Sequence, residues 1–229
     1  MNGPAPTRHA VVTGVSSGIG ASIAARLLRE GWRVTGLSRS APDRAEPGFA
    51  HRAADLSDPA SLEAAVQGLR PDALVHAAGL LRTNGLGALD AGDGEAMWRL
   101  HVAAAERLAN LVVPVMRDGG RVVLIGSRTA TGAAGRSQYA ATKAAMLALA
   151  RSWAAELAPR GITVNVVAPA ATDTPMLRDP ARAGVPPRVP PIGRFIQPEE
   201  VAALTAFLLS GEAGAITGQQ ITICGGSSL

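Results

Sequence analysis

The stretch that decides the fold is His-Ala-Val-Val-Thr-Gly-Val-Ser-Ser-Gly-Ile-Gly, residues 9–20. An apolar run typical of a strand ends at Thr13, a glycine-rich turn follows, and a helical pattern begins at Ile19. Glycines permit a tight turn and let backbone N–H groups approach a pyrophosphate, while the helix N-terminus supplies positive potential. A plain strand–helix turn is the alternative, but the position between a strand and a helix near the N-terminus favours a dinucleotide site. The residues expected to contact it here are Gly14, Ser16, Ser17, Gly18, Ile19 and Gly20.

Outward from this turn, short strand-like runs alternate with amphipathic helical segments. Several strands are continuous Val/Ile/Leu runs, which is typical of strands buried on both faces of a parallel sheet. The fold class predicted is α/β: a single-domain, Rossmann-like, doubly wound parallel sheet of about seven strands with helices on both faces, spanning residues 1–229. The predicted strands are 9–13, 33–37, 50–53, 73–77, 121–125, 163–167 and 220–224, and the predicted helices are 19–30, 59–69, 94–116, 137–157 and 198–209.

Two segments depart from this regularity. Residues 40–48 join the second and third strands, contain Pro42 and Pro47, and leave no room for a full helix. The proline-rich stretch 175–191 shows no period, so we predict a loop on the substrate side of the site, taken as 175–196. Long loops without secondary structure in compact domains are usually functional or disordered.

Composition excludes several classes of protein. The 229 residues fit one domain, and 47% hydrophobic against 17% charged residues favour a packed core over disorder. The excess of 22 − 18 = +4 positive charges is scattered rather than clustered, so no nucleic-acid interface is expected. The single cysteine, Cys224, excludes an internal disulfide and a cysteine-built metal cluster, and we expect no metal. No apolar run approaches a bilayer span and no signal peptide is visible, so we expect no membrane association and a cytoplasmic protein.

The end of the second strand bears on the choice of cofactor. It reads Ser38-Arg39 and has no acidic residue for the ribose 2′-hydroxyl of NAD, whereas arginine suits the 2′-phosphate of NADP. We therefore expect NADP(H) in preference to NAD(H), with Ser38 and Arg39 at the phosphate; a solvated surface arginine is the alternative. Asp55 and Leu56 follow the third strand, where the aspartate either accepts from the adenine amino group or begins the next helix, and both interpretations stay open.

A tyrosine and a lysine form the candidate catalytic group. Tyr139 and Lys143 are four residues apart, which places them on one face of a helix, and Ser127 closes the fifth strand. The order TGxxxGIG, serine after the fifth strand, YxxxK and a proline turn after the sixth strand resembles the short-chain dehydrogenase/reductase family from about residue 9 to residue 226. The tail, with Pro191-Ile192-Gly193-Arg194-Phe195 and Gly225-Gly226, resembles the bacterial 3-oxoacyl-carrier-protein reductase branch.

This resemblance implies the roles of the site residues. Tyr139 would give a proton to the carbonyl oxygen, Ser127 would steady that oxygen, and Lys143 would lower the pKa of the tyrosine from about 10 toward neutrality. The resemblance also implies cofactor contacts from Tyr139 and Lys143 themselves and from Ala78, Gly79, Pro169, Thr172 and Thr174. Thr174 as a simple cap of the next segment is the alternative.

One departure from the family bears on mechanism. The family has an asparagine on the long helix, where it helps to anchor a water in the proton relay, and this position is His101 here. An imidazole can both donate and accept, so His101 either replaces the amide in a relay to Lys143 or is a packed helix histidine. The family's Asn-Asn-Ala-Gly after the fourth strand is likewise replaced, by His-Ala-Ala-Gly at residues 76–79.

The resulting prediction is an NAD(P)-dependent oxidoreductase, NADP(H) preferred, interconverting a carbonyl and an alcohol by hydride transfer. The alternative is a nucleotide-binding regulatory or scaffold protein with little turnover. The partners expected are a small carbonyl or alcohol substrate and further copies of the chain, in a homodimer or, as the resemblance implies, a homotetramer. The residues expected to line the substrate site are Arg82, Arg128, Met176, Arg178 and Phe195, a set that does not select one substrate.

Overall fold

Seven parallel strands form one sheet in the computed structural model, which describes residues 7–43, 46–179 and 186–229. Their order across the sheet is β3-β2-β1-β4-β5-β6-β7. Because β1 lies between β2 and β4, the chain reverses its direction of winding there, and ligands bind such sheets at this point, beyond the carboxyl ends of the strands. The strands are β1 His9–Thr13, β2 Arg33–Ser38, β3 Phe49–Ala53, β4 Ala73–His76, β5 Arg121–Ile125, β6 Thr163–Pro169 and β7 Gln220–Ile223.

Helices cover both faces of the sheet. Successive side chains of β1 point to opposite faces, so Val11 joins one apolar cluster while Ala10 and Val12 join the other. The first cluster includes residues of α2, α4 and α5, and the second includes residues of α1 and α6. The predicted doubly wound α/β fold is thus confirmed. The helices are α1 Gly18–Arg29, α2 Pro59–Val66, α3 Ala91–Trp98, α4 Ala104–Val112, α5 Ser137–Leu157 and α6 Pro198–Leu209.

The helix predicted over 94–116 is present as one unbroken helical run from Ala91 to Val115, but it is not α-helical throughout. The run consists of α3, a π-helical segment at Arg99–Ala103, α4 and a short 3-10 turn at Val113–Val115. A π segment adds a residue to the turn and shifts the register of everything that follows, a change too small for hydrophobic periodicity to reveal. The buried residues of the segment are His101 and Val102.

The substrate-side loop is anchored at both of its described ends. Pro175–Arg178 forms a 3-10 turn, and residues 180–185 lie outside the described part of the chain, as do 44 and 45 in the predicted 40–48 connection. At the far end of the substrate-side loop, Ile196 forms a bridge with Thr172. The backbone N–H of Ile196 also donates to the Ala171 carbonyl over 3.0 Å. The loop therefore returns to the end of β6.

None of the described helices is long and apolar enough to span a bilayer.

Candidate active site

The glycine turn after β1 leaves no space for side chains. A Cβ placed on Gly20 would lie 2.3 Å from the Gly14 carbonyl oxygen, and one on Gly14 would lie 2.9 Å from the Cα of Ala78. Gly14 also has a φ of +73°, in the region that side chains disfavour. The turn therefore requires glycine at both positions and is held against the end of β4.

The start of α1 is available to an anion. Ser17 precedes the helix without a side-chain capping bond, and both Ser16 and Ser17 are exposed. The first N–H groups of a helix have no partner inside it and carry the positive end of its dipole. An uncapped helix start beside a glycine-containing turn fits the pyrophosphate of a dinucleotide.

The end of β6 faces this turn. A Cβ on Gly18 would lie 3.2 Å from Cγ2 of Thr174, so the two segments are in close contact. Thr174 donates to the Thr172 carbonyl over 3.3 Å and makes no capping bond to the 3-10 turn after it, so the cap interpretation is not supported. Ile19, Pro169 and Thr172 line the same cavity as Thr174.

The residues after β2 divide into bonded and available groups. The Ser38 hydroxyl is buried, lies 3.1 Å from His51 Nε2 and donates to the Ser40 carbonyl over 2.8 Å, so its proton is already used. Arg39 is exposed, and none of the carboxylates in the described ranges forms an ion pair with it. Of the predicted pair, only Arg39 has donors to offer a phosphate.

Of the two interpretations of Asp55, after β3, only the contact with the adenine amino group remains. Asp55 does not begin the next helix, because α2 is capped by Asp58, whose carboxylate accepts from the Ala60 N–H over 3.1 Å. One Asp55 oxygen accepts from the Ser57 N–H over 2.9 Å, and the side chain is exposed. Leu56 is buried in the core, which leaves only its main-chain atoms for a cofactor.

All four predicted catalytic residues, Ser127, Tyr139, Lys143 and His101, line one cavity of about 670 Å³. Ser127 follows β5, and Tyr139 and Lys143 lie in the first half of α5. The Lys143 ammonium nitrogen lies 5.8 Å from the centroid of the Tyr139 ring and donates to the Ile125 carbonyl over 2.9 Å. Burial lowers the pKa of Lys143 to about 7. Ser127 Oγ lies 2.8 Å from the Thr129 hydroxyl.

His101 is fully buried, and both of its ring nitrogens are bonded within the protein. Nε2 accepts from the Leu80 N–H over 3.0 Å, so Nδ1 carries the proton toward the Thr142 hydroxyl at 2.8 Å. That hydroxyl in turn donates to the Tyr139 carbonyl. Burial, followed by the charge of Lys143, holds the pKa of His101 well below its ordinary value. A neutral ring with both nitrogens bonded favours the packed, positioning interpretation over the relay.

His76 connects the cofactor turn to the π segment, a role that the sequence did not indicate beyond its departure from the family pattern. Its Nε2 donates to the Leu100 carbonyl over 3.0 Å, so its Nδ1 accepts from the Thr13 hydroxyl at 3.1 Å. The same hydroxyl accepts from the Ala77 and Ala78 N–H groups. Burial, with a smaller contribution from Lys143, lowers the pKa of His76 to about 4.

Among the residues expected on the substrate side, Arg128 and Met176 line the cavity. Arg82 instead lies 3.6 Å from Asp93, and Arg178 donates to Asp173 over 2.6 Å. Phe195 is not in the described cavity wall.

The sequence analysis missed Arg136 and Arg188, which do line the cavity. The position of Arg136 one helical turn before Tyr139 was the available signal. No three His, Cys, Asp or Glu side chains within 7–43, 46–179 and 186–229 are grouped so as to hold a metal ion.

Comparison with known proteins places the chain among related enzymes. A family model described as Enoyl-(Acyl carrier protein) reductase matches residues 14–228. The chain is 37% identical to the 3-oxoacyl-[acyl-carrier-protein] reductase FabG of Salmonella typhimurium, over 95% of this chain and 96% of that one. A short-chain dehydrogenase/reductase from Serratia marcescens superposes with a TM-score of 0.87 at 33% identity, covering 97% of this chain and 98% of the other. The chain belongs to the short-chain dehydrogenase/reductase family.

Two other proteins of similar structure were solved with a nicotinamide cofactor. A blue fluorescent protein from a metagenomic library, in complex with NADPH, has a TM-score of 0.85 and 30% identity and covers 97% of this chain and 98% of that one. The 3-ketoacyl-(acyl-carrier-protein) reductase of Brucella melitensis, complexed with NADH, has a TM-score of 0.86 and 26% identity over the same shares. The family binds nicotinamide cofactors, and the glycine turn described above fits one.

Proposed function

We propose that this protein is an NADP(H)-dependent oxidoreductase that interconverts a carbonyl and an alcohol. The observation that carries the proposal is the single cavity that brings Ser127, Tyr139 and Lys143 to the carboxyl edge of the sheet. The glycine turn and the end of β6 form the cofactor side of that edge, and Ile19, Pro169, Thr172 and Thr174 extend it into the cavity.

The cofactor would be held by the segments that meet at this edge. Backbone N–H groups at the start of α1, with Ser16 and Ser17, would bind the pyrophosphate, and Arg39 would bind the 2′-phosphate. Thr172 and Thr174 would hold the carboxamide of the nicotinamide, and Ala78 and Gly79 would contact its ribose. When bound, NADP(H) supplies or accepts the hydride.

Tyr139 would act as the general acid in reduction, giving its phenolic proton to the carbonyl oxygen while Ser127 hydrogen-bonds that oxygen. In the reverse direction Tyr139 must accept a proton, but a phenol with a pKa of about 10 is almost fully protonated at neutral pH. A protonated Lys143 would stabilise the phenolate, since a unit charge about 6 Å away, close to the observed separation of its nitrogen from the ring centroid, contributes roughly 3 kcal/mol at an effective dielectric of about 20. Because the two groups are coupled, loss of the Tyr139 proton in turn favours a protonated Lys143.

His101 would position these groups rather than transfer protons. It connects Leu80, beside the cavity, to the first turns of α5 through Thr142. His76 acts in the same way between β1 and the π segment. Both are held neutral, so neither adds a competing positive charge beside Lys143.

The scaffold alternative explains less. Lys143 is buried at a cost to its charged form, and binding of a nucleotide alone would not require a tyrosine one helical turn away from it in the same cavity. Perturbed titratable groups that line a cavity together are typical of active sites.

The test is NADPH oxidation with a panel of aldehydes and ketones, using the parent and Tyr139→Phe. We expect Tyr139→Phe to bind NADPH as the parent does, measured by nicotinamide fluorescence, and to lose about 10²–10⁴-fold in kcat. Ser152→Ala, on the exposed side of the same helix, is the control and should match the parent. Near-parent turnover by Tyr139→Phe would contradict the mechanism, and NADPH binding without reduction of any carbonyl would favour the scaffold alternative.

We also propose that the chain assembles as a homodimer or homotetramer through α4 and α5. A groove of about 940 Å³ runs along these two helices, and its wall of mixed apolar and charged side chains suits the equivalent helices of a second copy. Apolar side chains in that wall include Leu111, Val113, Trp153 and Leu157.

A further inference from the structure

The charged residues that line the catalytic cavity all have the same sign. They are Arg128, Arg136, Lys143 and Arg188, and the described cavity wall contains no aspartate or glutamate. Elsewhere in the described chain arginines are commonly paired with carboxylates, as Arg82 and Arg178 are just outside this wall. A cavity with one sign of charge and low-dielectric walls concentrates ligands of the opposite sign.

Arg128 carries the strongest indication. Its Nε is buried and has no hydrogen-bond partner among the described residues. No described carboxylate forms an ion pair with its guanidinium. A buried donor without an acceptor costs free energy, and native proteins satisfy nearly all such groups. The group that would satisfy it is an acceptor that enters the cavity.

Arg136 adds a second positive charge beside the first. It stands at the start of α5, one turn before Tyr139. Burial lowers the pKa of Arg136, Tyr139 opposes this shift, and the nearby charge of Arg128 lowers the pKa further. Arg136 therefore brings a second guanidinium to the cavity wall that also contains Arg128, and both would attract an anion.

The position of these arginines assigns the charge to the substrate rather than to the cofactor. Arg128 directly follows Ser127, and Arg136 precedes Tyr139, so both flank the groups that would contact the carbonyl oxygen. The proposed sites of the cofactor phosphates follow β1 and β2, at the start of α1 and the end of β2, and β4 separates these two strands from β5. The remaining wall on the loop side is largely apolar, with Pro186, Pro187, Val189 and Pro191.

We propose that the substrate is an oxo acid or hydroxy acid, a small carbonyl or alcohol compound whose anionic group, a carboxylate or a phosphate, is bound by Arg128 with the support of Arg136. This proposal rests on the proposed carbonyl–alcohol chemistry and adds the substrate class. Guanidinium groups bind both kinds of oxyanion in forked geometry, so the two sources share one recognition chemistry.

Two matched pairs of probes test it. Acetoacetate and its neutral methyl ester form the carboxylate pair, and dihydroxyacetone phosphate and dihydroxyacetone form the phosphate pair. We expect the parent to have a higher kcat/KM with NADPH for the charged member of at least one pair. Preference within the first pair would assign a carboxylate, and preference within the second a phosphate.

Arg128→Met removes the charge and keeps much of the side-chain volume. We expect it to lower kcat/KM for the charged probe about 10- to 100-fold, mainly through KM, because a hydrogen bond to a charged group is lost. The neutral probe should change little. Arg128→Lys should retain part of the preference, and Arg151→Met, an exposed arginine on α5 outside the cavity wall, should retain all of it.

Binding measured without turnover separates this proposal from the proposed function. The NADPH complex of Tyr139→Phe is titrated with each probe and followed by nicotinamide fluorescence. Tighter binding of a charged probe without reduction by the parent would support the anion site while the reaction assignment fails. The proposal would be overturned if both charged probes were bound and turned over no better than their neutral counterparts. This outcome is measured on proteins that retain Arg128, so it does not depend on the folding of Arg128→Met.

Discussion

At the scale of single residues, the proposed preference for NADP(H) depends on Arg39. It is exposed at the end of β2 and has no carboxylate partner among the described residues. We expect kcat/KM to favour NADPH over NADH, and Arg39→Asp to lower that ratio by about 10- to 100-fold or more, because a contact to a charged phosphate is replaced by repulsion. Steady-state kinetics with both cofactors measure this. Arg151→Asp, an equal change of charge on α5, should leave the ratio unchanged; equal or NADH-favouring values in the parent would contradict the assignment.

His76 gives a second prediction at this scale, about pH. Its pKa is lowered from 6.5 to about 4 in the folded protein by burial, so between these values the unfolded chain binds more protons than the folded one. Its contribution to stability is therefore complete above about pH 6.5 and is lost as the pH falls through about 4. Near pH 5 the loss is of the order of 2 kcal/mol.

Urea unfolding at about pH 7.5 and about pH 5 measures this loss. His76→Asn, which cannot titrate, should show a smaller drop in the free energy of unfolding between the two pH values than the parent. An identical drop in both proteins would mean that His76 is not the titrating group. His101 is also held neutral and should retain its own share of the pH dependence in this variant.

At the scale of secondary-structure elements, the π segment Arg99–Ala103 places His101 between Leu80 and Thr142. We expect His101→Asn to unfold more easily by about 1–3 kcal/mol, because a shorter side chain leaves one of these buried groups unsatisfied. We also expect a lower kcat with an unchanged pH profile, because the imidazole positions α5 and does not carry the proton.

The matched control is His9→Asn, at the opposite end of the sheet. His9 is buried and its Nε2 lies 2.8 Å from the Thr35 hydroxyl, so the variant should lose stability and keep its kcat. A shifted pH profile in His101→Asn would indicate that the imidazole works in the relay after all. A rate equal to or above that of the parent would mean that it only substitutes for the family's amide.

Prediction from sequence succeeded where a pattern is local. All seven predicted strands agree with the structure to within two residues at each end. The central ones are marked by apolar runs, since strands buried on both faces admit few polar residues, whereas β3 includes polar residues and is only partly buried. The spacing of Tyr139 and Lys143 correctly predicted that both residues lie on one helix, which is α5. The π segment was not predicted, because its extra residue does not change the local sequence pattern. Arg136 was not predicted to line the cavity, because only the tertiary fold shows which arginines share one.

At the scale of the whole molecule, the groove along α4 and α5 predicts self-association. Light scattering at micromolar concentration should give the mass of a dimer or tetramer, and Leu111→Arg, which places a charge in the groove wall, should shift the protein toward the monomer. Leu86→Arg is the control, since Leu86 is exposed and lies outside the groove. A monomeric parent would rule out the assembly.

The ionisation of Tyr139 in its cavity can be measured directly in the unmodified protein. Tyr139 is the only tyrosine among the 229 residues. A phenolate absorbs ultraviolet light at a longer wavelength than a phenol, and tryptophan does not ionise in this way. A difference-absorbance titration of the unlabelled protein therefore follows the ionisation of one side chain without background from any other tyrosine. Repeated with NADP⁺ present, the same titration would read directly how a bound cofactor changes the acidity of the group proposed to carry the proton.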